Sequence, residues 1–303
     1  MTNAPSNPLQ VVVIARDQSE RVQQTWKQLH AGLRARPAIN VVGALTAEET
    51  AHEEVVADMA LVIGGDGAIL RACRSFGARQ IPVLGLNQGR LGFLADIPSD
   101  EIDEGLDFIE QGKYKIVHHI MFECELHRRD GTSVRHIGLN ETSILSAGSL
   151  AMIDVELAIE GQHVTTYSGD GLIISTPVGS TAHSLSAGGP ILRQDLEAFV
   201  VTPICPHTLT VRPLVDRADV EYELTAPHAP EGVTLVIDGQ IREPFRPGDR
   251  AVIRRAPFQF QLVRLASHSY YGTLHRKLGW DGQPRYRRGR ISETDHAPPP
   301  SSE

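Results

Sequence analysis

An aspartate lies inside a cluster of three glycines in the first third of the chain. The segment from Leu61 to Gly67 reads Leu-Val-Ile-Gly-Gly-Asp-Gly, and a helical pattern begins at Ala68. Glycines allow a ligand to approach the backbone closely, and a helix N-terminus favours phosphate. Because a carboxylate repels phosphate, Asp66 either holds a divalent cation or acts as a base beside an acceptor hydroxyl group. The alternative is an ordinary strand-to-helix turn with Asp66 as the N-cap.

Two common nucleotide-binding motifs do not fit this loop. A Rossmann fingerprint would need a third glycine near Leu70, and the chain has no Gly-Lys-Ser or Gly-Lys-Thr for a P-loop. A simple dehydrogenase and a P-loop kinase are therefore disfavoured.

A second segment, from Gly169 to Pro190, combines a short apolar strand with a turn rich in hydroxyl groups and a glycine pair. Either Ser180 or Thr181 could cap the short helix predicted near Thr181 to Ala187, whose free amides could bind a polar ligand. Ser180 is disfavoured as a hydrolase nucleophile because the chain lacks a Gly-x-Ser-x-Gly elbow.

The elements around these loops change in type along the chain. Residues 1–114 alternate apolar strands with amphipathic helices, which predicts a Rossmann-like α/β domain with a parallel sheet. Residues 115–265 consist mostly of strands with turns at Asp130-Gly131, Glu160-Gly161 and Asp238-Gly239, which predicts a β-rich, sandwich-like domain. Residues 292–303 are proline-rich and are predicted to form a disordered tail.

Composition excludes several other classes of protein. The net charge of −8 disfavours non-specific nucleic-acid binding. No apolar run is long enough to span a membrane, and three distant cysteines indicate a reducing, cytoplasmic location. Neighbouring strand residues point to opposite faces, so His118 and His119 do not form a metal site. Cys205-Pro206-His207 is interpreted as a rigid turn after a strand rather than a catalytic pair.

Taken together, these motifs resemble the NAD kinase family. The resemblance rests on the Gly-Gly-Asp-Gly loop, Leu86 to Leu94, Asn140-Glu141, the Thr-Pro-x-Gly-Ser-Thr-Ala segment and Cys205-Pro206-His207, and it extends to Lys277-Leu278-Gly279-Trp280. The glycine loop alone is shared with diacylglycerol kinases and, more loosely, phosphofructokinases. The resemblance implies an ATP-dependent enzyme that phosphorylates the 2′-hydroxyl of the adenosine ribose of NAD and so controls the NAD/NADP balance.

It also implies roles for individual residues. Asp66 is the expected proton acceptor and a dinucleotide contact, and Gly64, Gly65 and Gly67 are the expected ATP phosphate loop. The expected substrate-binding residues are Gly67, Arg71, Asn140, Glu141, Asp170, Thr181, Ala182, His183, Ser184, Leu185, Ser186 and Gln240. Mg²⁺ is the expected cation, and its ligands are unknown.

The family architecture places NAD between the two domains, with residues 266–291 packing back on the first domain. A homo-oligomer is expected. Four positions depart from the family pattern, Ala68, Ser168, Val178 and His183, and they bear on substrate preference more than on reaction type. The choice between NAD and NADH and between ATP and polyphosphate stays open. Two other functions also stay open, a lipid kinase and a non-catalytic dinucleotide sensor.

Overall fold

The computed structural model describes residues 7–46, 56–89, 92–146, 152–265 and 269–280. Five helices are α1 (Glu20–Arg34), α2 (Asp66–Phe76), α3 (Ile102–Glu110), α4 (His183–Ser186) and α5 (Tyr270–Leu278). The strands are β1 (Leu9–Ala15), β2 (Ile39–Thr46), β3 (Met59–Ile63), β4 (Val83–Asn87), β5 (Ala95–Pro98), β6 (Tyr114–His127), β7 (Ser133–Gly138), β8 (Glu141–Leu145), β9 (Ile153–Ile159), β10 (Gln162–Gly169), β11 (Gly171–Ser175), β12 (Ala198–Ile204), β13 (Leu214–Arg217), β14 (Tyr222–Thr225), β15 (Thr234–Ile237), β16 (Ile241–Pro244) and β17 (Arg250–Leu265).

The N-terminal strands form the predicted parallel sheet, in the order β2-β1-β3-β4, with β5 beside β4. Successive residues of β1 face opposite sides, as a strand requires. Val11 and Val13 pack with residues of α1 and α3, whereas Val12 and Ile14 pack with residues of α2. The predicted alternation of buried strands and amphipathic helices is confirmed here, although β5 had no clear sequence signal.

The C-terminal half contains a second sheet, of six strands in the order β13-β12-β11-β8-β15-β16. A buried apolar cluster joins residues of this sheet, such as Leu172 and Phe199, with Tyr222 and Ile253 of the larger sheet. The predicted turns are confirmed. Backbone φ is 50° at Glu160 and 49° at Asp238, and each residue is followed by a glycine that also has positive φ, as type I′ hairpin turns require.

One long strand links the two halves of the molecule. β17 pairs antiparallel with β6 and β14, and near its end Leu262 pairs with Val83 of β4. The larger sheet therefore runs through both halves with eleven strands. After β17, α5 places the Lys277 ammonium 5.2 Å from the Phe93 ring centre. The division at residues 114 and 265 stays a prediction, and the predicted tail at 292–303 lies outside the described residues. No helix in the described ranges is both long and apolar enough to cross a membrane.

Candidate active site

The Asp66 carboxylate is held by three backbone amides from another loop. Its Oδ2 accepts a hydrogen bond from the Phe93 N–H at 2.8 Å, and its Oδ1 accepts from Leu94 and Ala95, each at 3.0 Å. A Cβ added at Gly92 would lie 2.0 Å from Oδ1. Only glycine at position 92 therefore lets this loop come so close to the carboxylate.

The glycine loop itself is a tight turn from β3 into α2. The N-cap of α2 is Gly65, without a side-chain capping bond, and Asp66 is the first helical residue. A Cβ at Gly64 would lie 2.6 Å from the Cβ of Ala68, so the turn has no room for a side chain there. The alternative that Asp66 is the N-cap is therefore wrong, because its carboxylate binds the loop at residues 93–95 instead.

Gln240 connects the glycine loop to the β-rich half. Its side-chain amide donates a hydrogen bond to the Gly67 carbonyl at 2.9 Å, and its Oε1 accepts one from the Arg74 guanidinium. Arg74 also forms an ion pair with Asp238, with Nη1 and Oδ2 2.9 Å apart. These contacts connect the hairpin formed by β15 and β16 of the second sheet to α2.

Asp238 in turn fixes the backbone at the predicted substrate-binding pair Asn140-Glu141. Its Oδ1 accepts hydrogen bonds from the N–H groups of Asn140 at 2.8 Å and of Leu139 and Glu141 at 3.2 Å each. Burial raises the pKa of Asp238, while Arg74 and these backbone N–H groups lower it. The carboxylate is therefore a buried anchor and not a surface ligand.

Glu141 is a buried acid beside that anchor. Burial, with a further contribution from the Asp238 carboxylate, raises the pKa of Glu141 to about 8. Its Oε2 has no hydrogen-bond partner among the described residues. At neutral pH the side chain is mostly a carboxylic acid, which can both donate and accept a hydrogen bond.

The hydroxyl-rich segment packs directly on Asn140. The Asn140 carbonyl accepts hydrogen bonds from the Thr176 N–H at 2.9 Å and the Ser175 hydroxyl at 3.1 Å. A Cβ at Gly179 would lie 2.1 Å from this carbonyl. The predicted stretch from Thr181 to Ser186 thus begins two residues after the contact with Asn140.

Side chains in that stretch face different surroundings. His183 and Ser186 are exposed, Thr181, Ala182 and Leu185 are half-buried, and Ser184 is fully buried. The Ser184 hydroxyl lies 2.9 Å from that of Thr202 and serves the core. The Ser180 hydroxyl is also fully buried, donating to the Pro177 carbonyl and accepting from the Leu192 N–H. The Ser180 hydroxyl therefore donates and accepts hydrogen bonds within the protein and has a structural role.

Two predicted site residues are not joined to this network. Asp170 precedes β11, in which Ser175 pairs with Glu141 and Gly171 pairs with Leu145. At about 3.3 Å per residue, Asp170 lies more than ~13 Å along the strand from the Glu141 end. Arg71 is half-buried on α2 and forms no hydrogen bond or ion pair with a described residue.

The sequence analysis assigned no role in the site to Arg74, to Asp238 or to residues 92–95. It identified Asp238 only as part of a turn, and Gly92 to Leu94 only as part of the family resemblance. Arg74 lies seven residues after Gly67, a spacing that places both on one face of a helix. That signal was available, but it did not identify Asp238 as the partner. The contact of Gly92 with Asp66 joins residues far apart in sequence and had no local signal.

The site has limited capacity for a metal ion. The described residues contain no group of three or more histidine, cysteine, aspartate or glutamate side chains that could hold one. An ionised carboxylate has about four acceptor positions, and backbone amides use three of those on Asp66. Mg²⁺ commonly binds through one or two carboxylates plus substrate phosphates. The described residues therefore fit a cation that is held mainly by substrate phosphate groups rather than by a set of protein side chains.

Other candidate sites from the sequence have structural explanations. His118 is exposed and His119 is buried, which confirms that they point to opposite faces. A hydrogen bond with the Asp170 carboxylate raises the pKa of the exposed Cys205 thiol, so Cys205 is not an activated thiolate.

Comparisons with known proteins agree with the motifs. The model of the ATP-NAD kinase N-terminal domain matches residues 11–114, and that of the ATP-NAD kinase C-terminal domain matches residues 139–265. An NAD kinase of Rhodopirellula baltica is 41% identical over 276 residues, covering 91% of this chain and 88% of the relative. An NAD kinase of Geobacter metallireducens is 38% identical over 278 residues, covering 89% and 98%.

Solved structures share the fold. A crystal structure of yeast NADH kinase complexed with NADH has a TM-score of 0.83 at 24% identity, covering 93% of this chain and 91% of that one. That of an Archaeoglobus fulgidus NAD kinase in complex with ATP has a TM-score of 0.68 at 26% identity, covering 89% and 99%. The resemblance predicted from the sequence is confirmed: the chain belongs to the ATP-NAD kinase family.

Proposed function

We propose that the chain carries out its family's reaction at the Asp66 site, transferring the γ-phosphate of ATP to the 2′-hydroxyl of the adenosine ribose of NAD. The observation that carries this proposal is a carboxylate fixed by three backbone amides at the first turn of α2, beside a glycine loop in which Gly67 is exposed. Phosphoryl transfer depends mainly on positioning and charge neutralisation, because bonding to the moving group is loose in the transition state.

Asp66 acts as the general base. With three acceptor positions used by the amides of residues 93–95, about one remains to accept the ribose 2′-hydroxyl proton. The amides also fix the direction of that remaining lone pair. General-base assistance of this kind contributes about 10²–10⁴-fold to the rate.

The dinucleotide lies between the glycine loop and the second sheet. Asn140 and Glu141 hold its ribose hydroxyl groups, and the protonated Glu141 can donate one of these bonds. Gln240 and the stretch from Thr181 to Ser186 border the same space, with the exposed His183 available to stack on a base. Because Ser184 is committed to Thr202, it contributes backbone groups only.

ATP binds with its phosphates against the backbone of Gly64, Gly65 and Gly67. The N-terminus of α2 adds a partial positive charge there. Mg²⁺ neutralises phosphate charge when bound, with the ATP oxygens as its principal ligands. The half-buried Arg71, one turn along α2, adds positive charge near the phosphates.

The proposal extends to the location, the domain organisation and the oligomeric state of the enzyme. The enzyme is cytoplasmic, with an α/β domain at residues 1–114, a β-rich domain at 115–265 and a C-terminal segment at 266–291 that packs on the first domain. It is a homo-oligomer in which Asp170, at the opposite end of β11 from the Ser175–Glu141 pair, contacts the dinucleotide bound by a neighbouring copy.

The test is an assay of the purified protein with Mg²⁺, ATP and NAD, in which NADP is detected by an NADP-specific dehydrogenase. We expect ATP-dependent formation of NADP. Phosphorylation of diacylglycerol without NADP would favour a lipid kinase. NAD binding without turnover would favour a sensor, and either result would overturn the proposal.

A further inference from the structure

A cleft beside α5 is separate from the network that joins Asp66 to Asn140. Its volume is about 380 Å³, within the range of small-molecule sites. Lys115, Val117 and His119 alternate along β6 and line one wall together, as residues two apart in a strand must. Tyr270 and Tyr271 of α5 also line the cleft, with their ring centroids 5.3 Å apart. We call this the His119 cleft.

Two buried polar groups in the cleft have unused hydrogen-bonding capacity. His119 is 1% exposed, and its Nδ1 lies 3.1 Å from the Gln194 carbonyl. A carbonyl only accepts, so Nδ1 carries the hydrogen and Nε2 is an acceptor. Burial lowers the pKa of His119 to about 4, which keeps the ring neutral. Neither His119 Nε2 nor the Gln194 side-chain amide nitrogen has a partner among the described residues.

A ligand that satisfies both groups must itself present a donor and an acceptor. His119 Nε2 requires an N–H or O–H, and the Gln194 amide requires a lone pair. A buried polar group without a hydrogen-bond partner destabilises the structure, so a ligand that pairs with both groups gains affinity. An amino-substituted nitrogen heterocycle carries this pair of groups along one edge.

The charge of the cleft favours an anion. Arg193 is paired with Asp195, with Nε and Oδ1 2.8 Å apart, so the charges of these two lining residues cancel. Lys115 also lines the cleft and adds a positive charge to its wall. Lys115 is exposed and has no ion pair with a described residue.

We propose that the His119 cleft is a second nucleotide site, distinct from the site that holds NAD. The base donates to His119 Nε2 and accepts from Gln194, and its ring packs on Tyr270 and Tyr271. The phosphate binds Lys115. This assignment rests on the cleft's own residues and not on the chemistry of Asp66.

Two nucleotides could supply this chemistry. One is the phosphoryl donor ATP, with its base and first phosphate in the cleft and its terminal phosphates at the glycine loop, and the other is a nucleotide that does not react. The cleft is near enough to the active site for either, because Arg264 Nη2 donates to the Phe93 carbonyl at 2.8 Å. The N–H of the same Phe93 donates to Asp66.

The test is calorimetric titration of the NAD-saturated protein with AMP, which has no phosphate to transfer. We expect one binding event, weakened about tenfold by Gln194→Leu, which removes one hydrogen bond. Lys115→Ala, at an exposed position, should weaken AMP binding and leave adenosine binding unchanged. Lys113→Ala, exposed two residues away, is the matched control and should bind AMP as the wild type does.

The source of the nucleotide is then read from kinetics. If ATP is the occupant, Gln194→Leu raises KM for ATP and ATP competes with AMP. If a non-reacting nucleotide is the occupant, KM for ATP is unchanged. Absence of AMP binding to the NAD-saturated protein would overturn the proposal, and so would AMP binding that neither Gln194→Leu nor Lys115→Ala weakens.

Discussion

Arg74 and Asp238 form an ion pair across the two halves of the molecule, with Nη1 and Oδ2 2.9 Å apart. The Asp238 side chain is fully buried and that of Arg74 is 11% exposed. One residue belongs to the helix that follows the glycine loop, and the other holds the backbone of Asn140 and Glu141. The pair therefore helps to fix the position of the proposed catalytic residue, Asp66, relative to the residues proposed to bind the dinucleotide.

Replacing Arg74 by methionine should destabilise the protein strongly. The substitution keeps much of the side-chain volume but leaves Asp238 buried without its cation. Removing one partner of a buried pair costs about 3–5 kcal/mol, and urea unfolding would measure the loss. Arg217→Met is the control, because Arg217 and Asp219 form an exposed pair and such pairs contribute about 0–1 kcal/mol. Equal losses in the two variants would contradict this explanation.

Gly92→Ala should reduce turnover more than stability. The added methyl group would lie 2.0 Å from Asp66 Oδ1, so the carboxylate must move. A displacement of about 1 Å at a reacting group can cost about 10²-fold in rate. Steady-state kinetics should show the loss in kcat. Gly272→Ala is the control, because a Cβ there meets no atom closer than 3.6 Å, and its kcat should equal that of the wild type.

Asp66→Asn should lower kcat by about 10²–10⁴-fold, because the amide cannot take the hydroxyl proton. KM for NAD should change little, since the residues that hold the dinucleotide remain. Asp130→Asn, in an exposed hairpin turn, should leave kcat unchanged. A variant at Asp66 with normal kcat would exclude this residue as the base.

Glu141 should make stability fall as pH rises above the acidic range. Its pKa in the folded protein is about 8, against an ordinary value of 4.5. The folded state therefore binds the proton more tightly than the unfolded state does. The resulting stabilisation is complete below about pH 4.5 and is lost as pH rises through 8.

The free energy of unfolding of the wild type, minus that of Glu141→Gln, should accordingly fall between pH 5 and pH 8. The steepest slope is about 1.4 kcal/mol per pH unit. Urea unfolding across this range measures it. Glu104→Gln, at an exposed position of α3, should differ from the wild type by a constant amount. A constant difference for Glu141→Gln as well would mean that Glu141 is ionised in the folded protein.

Local patterns predicted the N-terminal elements and the hairpins well. Met59–Ile63 was recognisable because a buried parallel strand is continuously apolar. The turn at Asp238-Gly239 was recognisable because the two residues tolerate positive φ. The path of β17 into the first sheet was not predictable, because a single pair, Leu262 with Val83, makes that connection.

The site was predictable only in part, because local motifs identify single residues but not the contacts between distant segments. Asp66, Asn140 and Glu141 lie in short motifs, and each could be named from the sequence. What positions them depends on side chains from distant segments, such as Arg74 on Asp238. Spacing along the chain carries no information about such pairs, and neither does it show that Ser184 is turned toward Thr202.

Asp170 provides a test of the proposed oligomer. Within one chain Asp170 precedes β11 at the opposite end from the Ser175–Glu141 pair. In the proposed homo-oligomer we expect it to contact the dinucleotide bound by a neighbouring copy. Asp66→Asn and Asp170→Asn homo-oligomers should then each have low activity. Mixed oligomers are formed by unfolding and refolding the two variants together. If sites are shared between pairs of copies, one of the two sites in each mixed pair has both native residues. Activity should then return to up to about a quarter of the wild-type value.

The control for this experiment is a mixture of Asp66→Asn with Glu141→Ala, which removes the hydrogen-bonding groups of Glu141. Asp66 and Glu141 belong to one network within a single chain, through Gln240, Arg74 and Asp238. Each copy's site needs both of these residues from its own chain. Every copy in this mixture lacks one of them, so no site is restored. Recovery of activity in the Asp170 mixture but not in this control would place Asp170 in a neighbouring copy's site. Equal activity in the two mixtures would contradict that assignment.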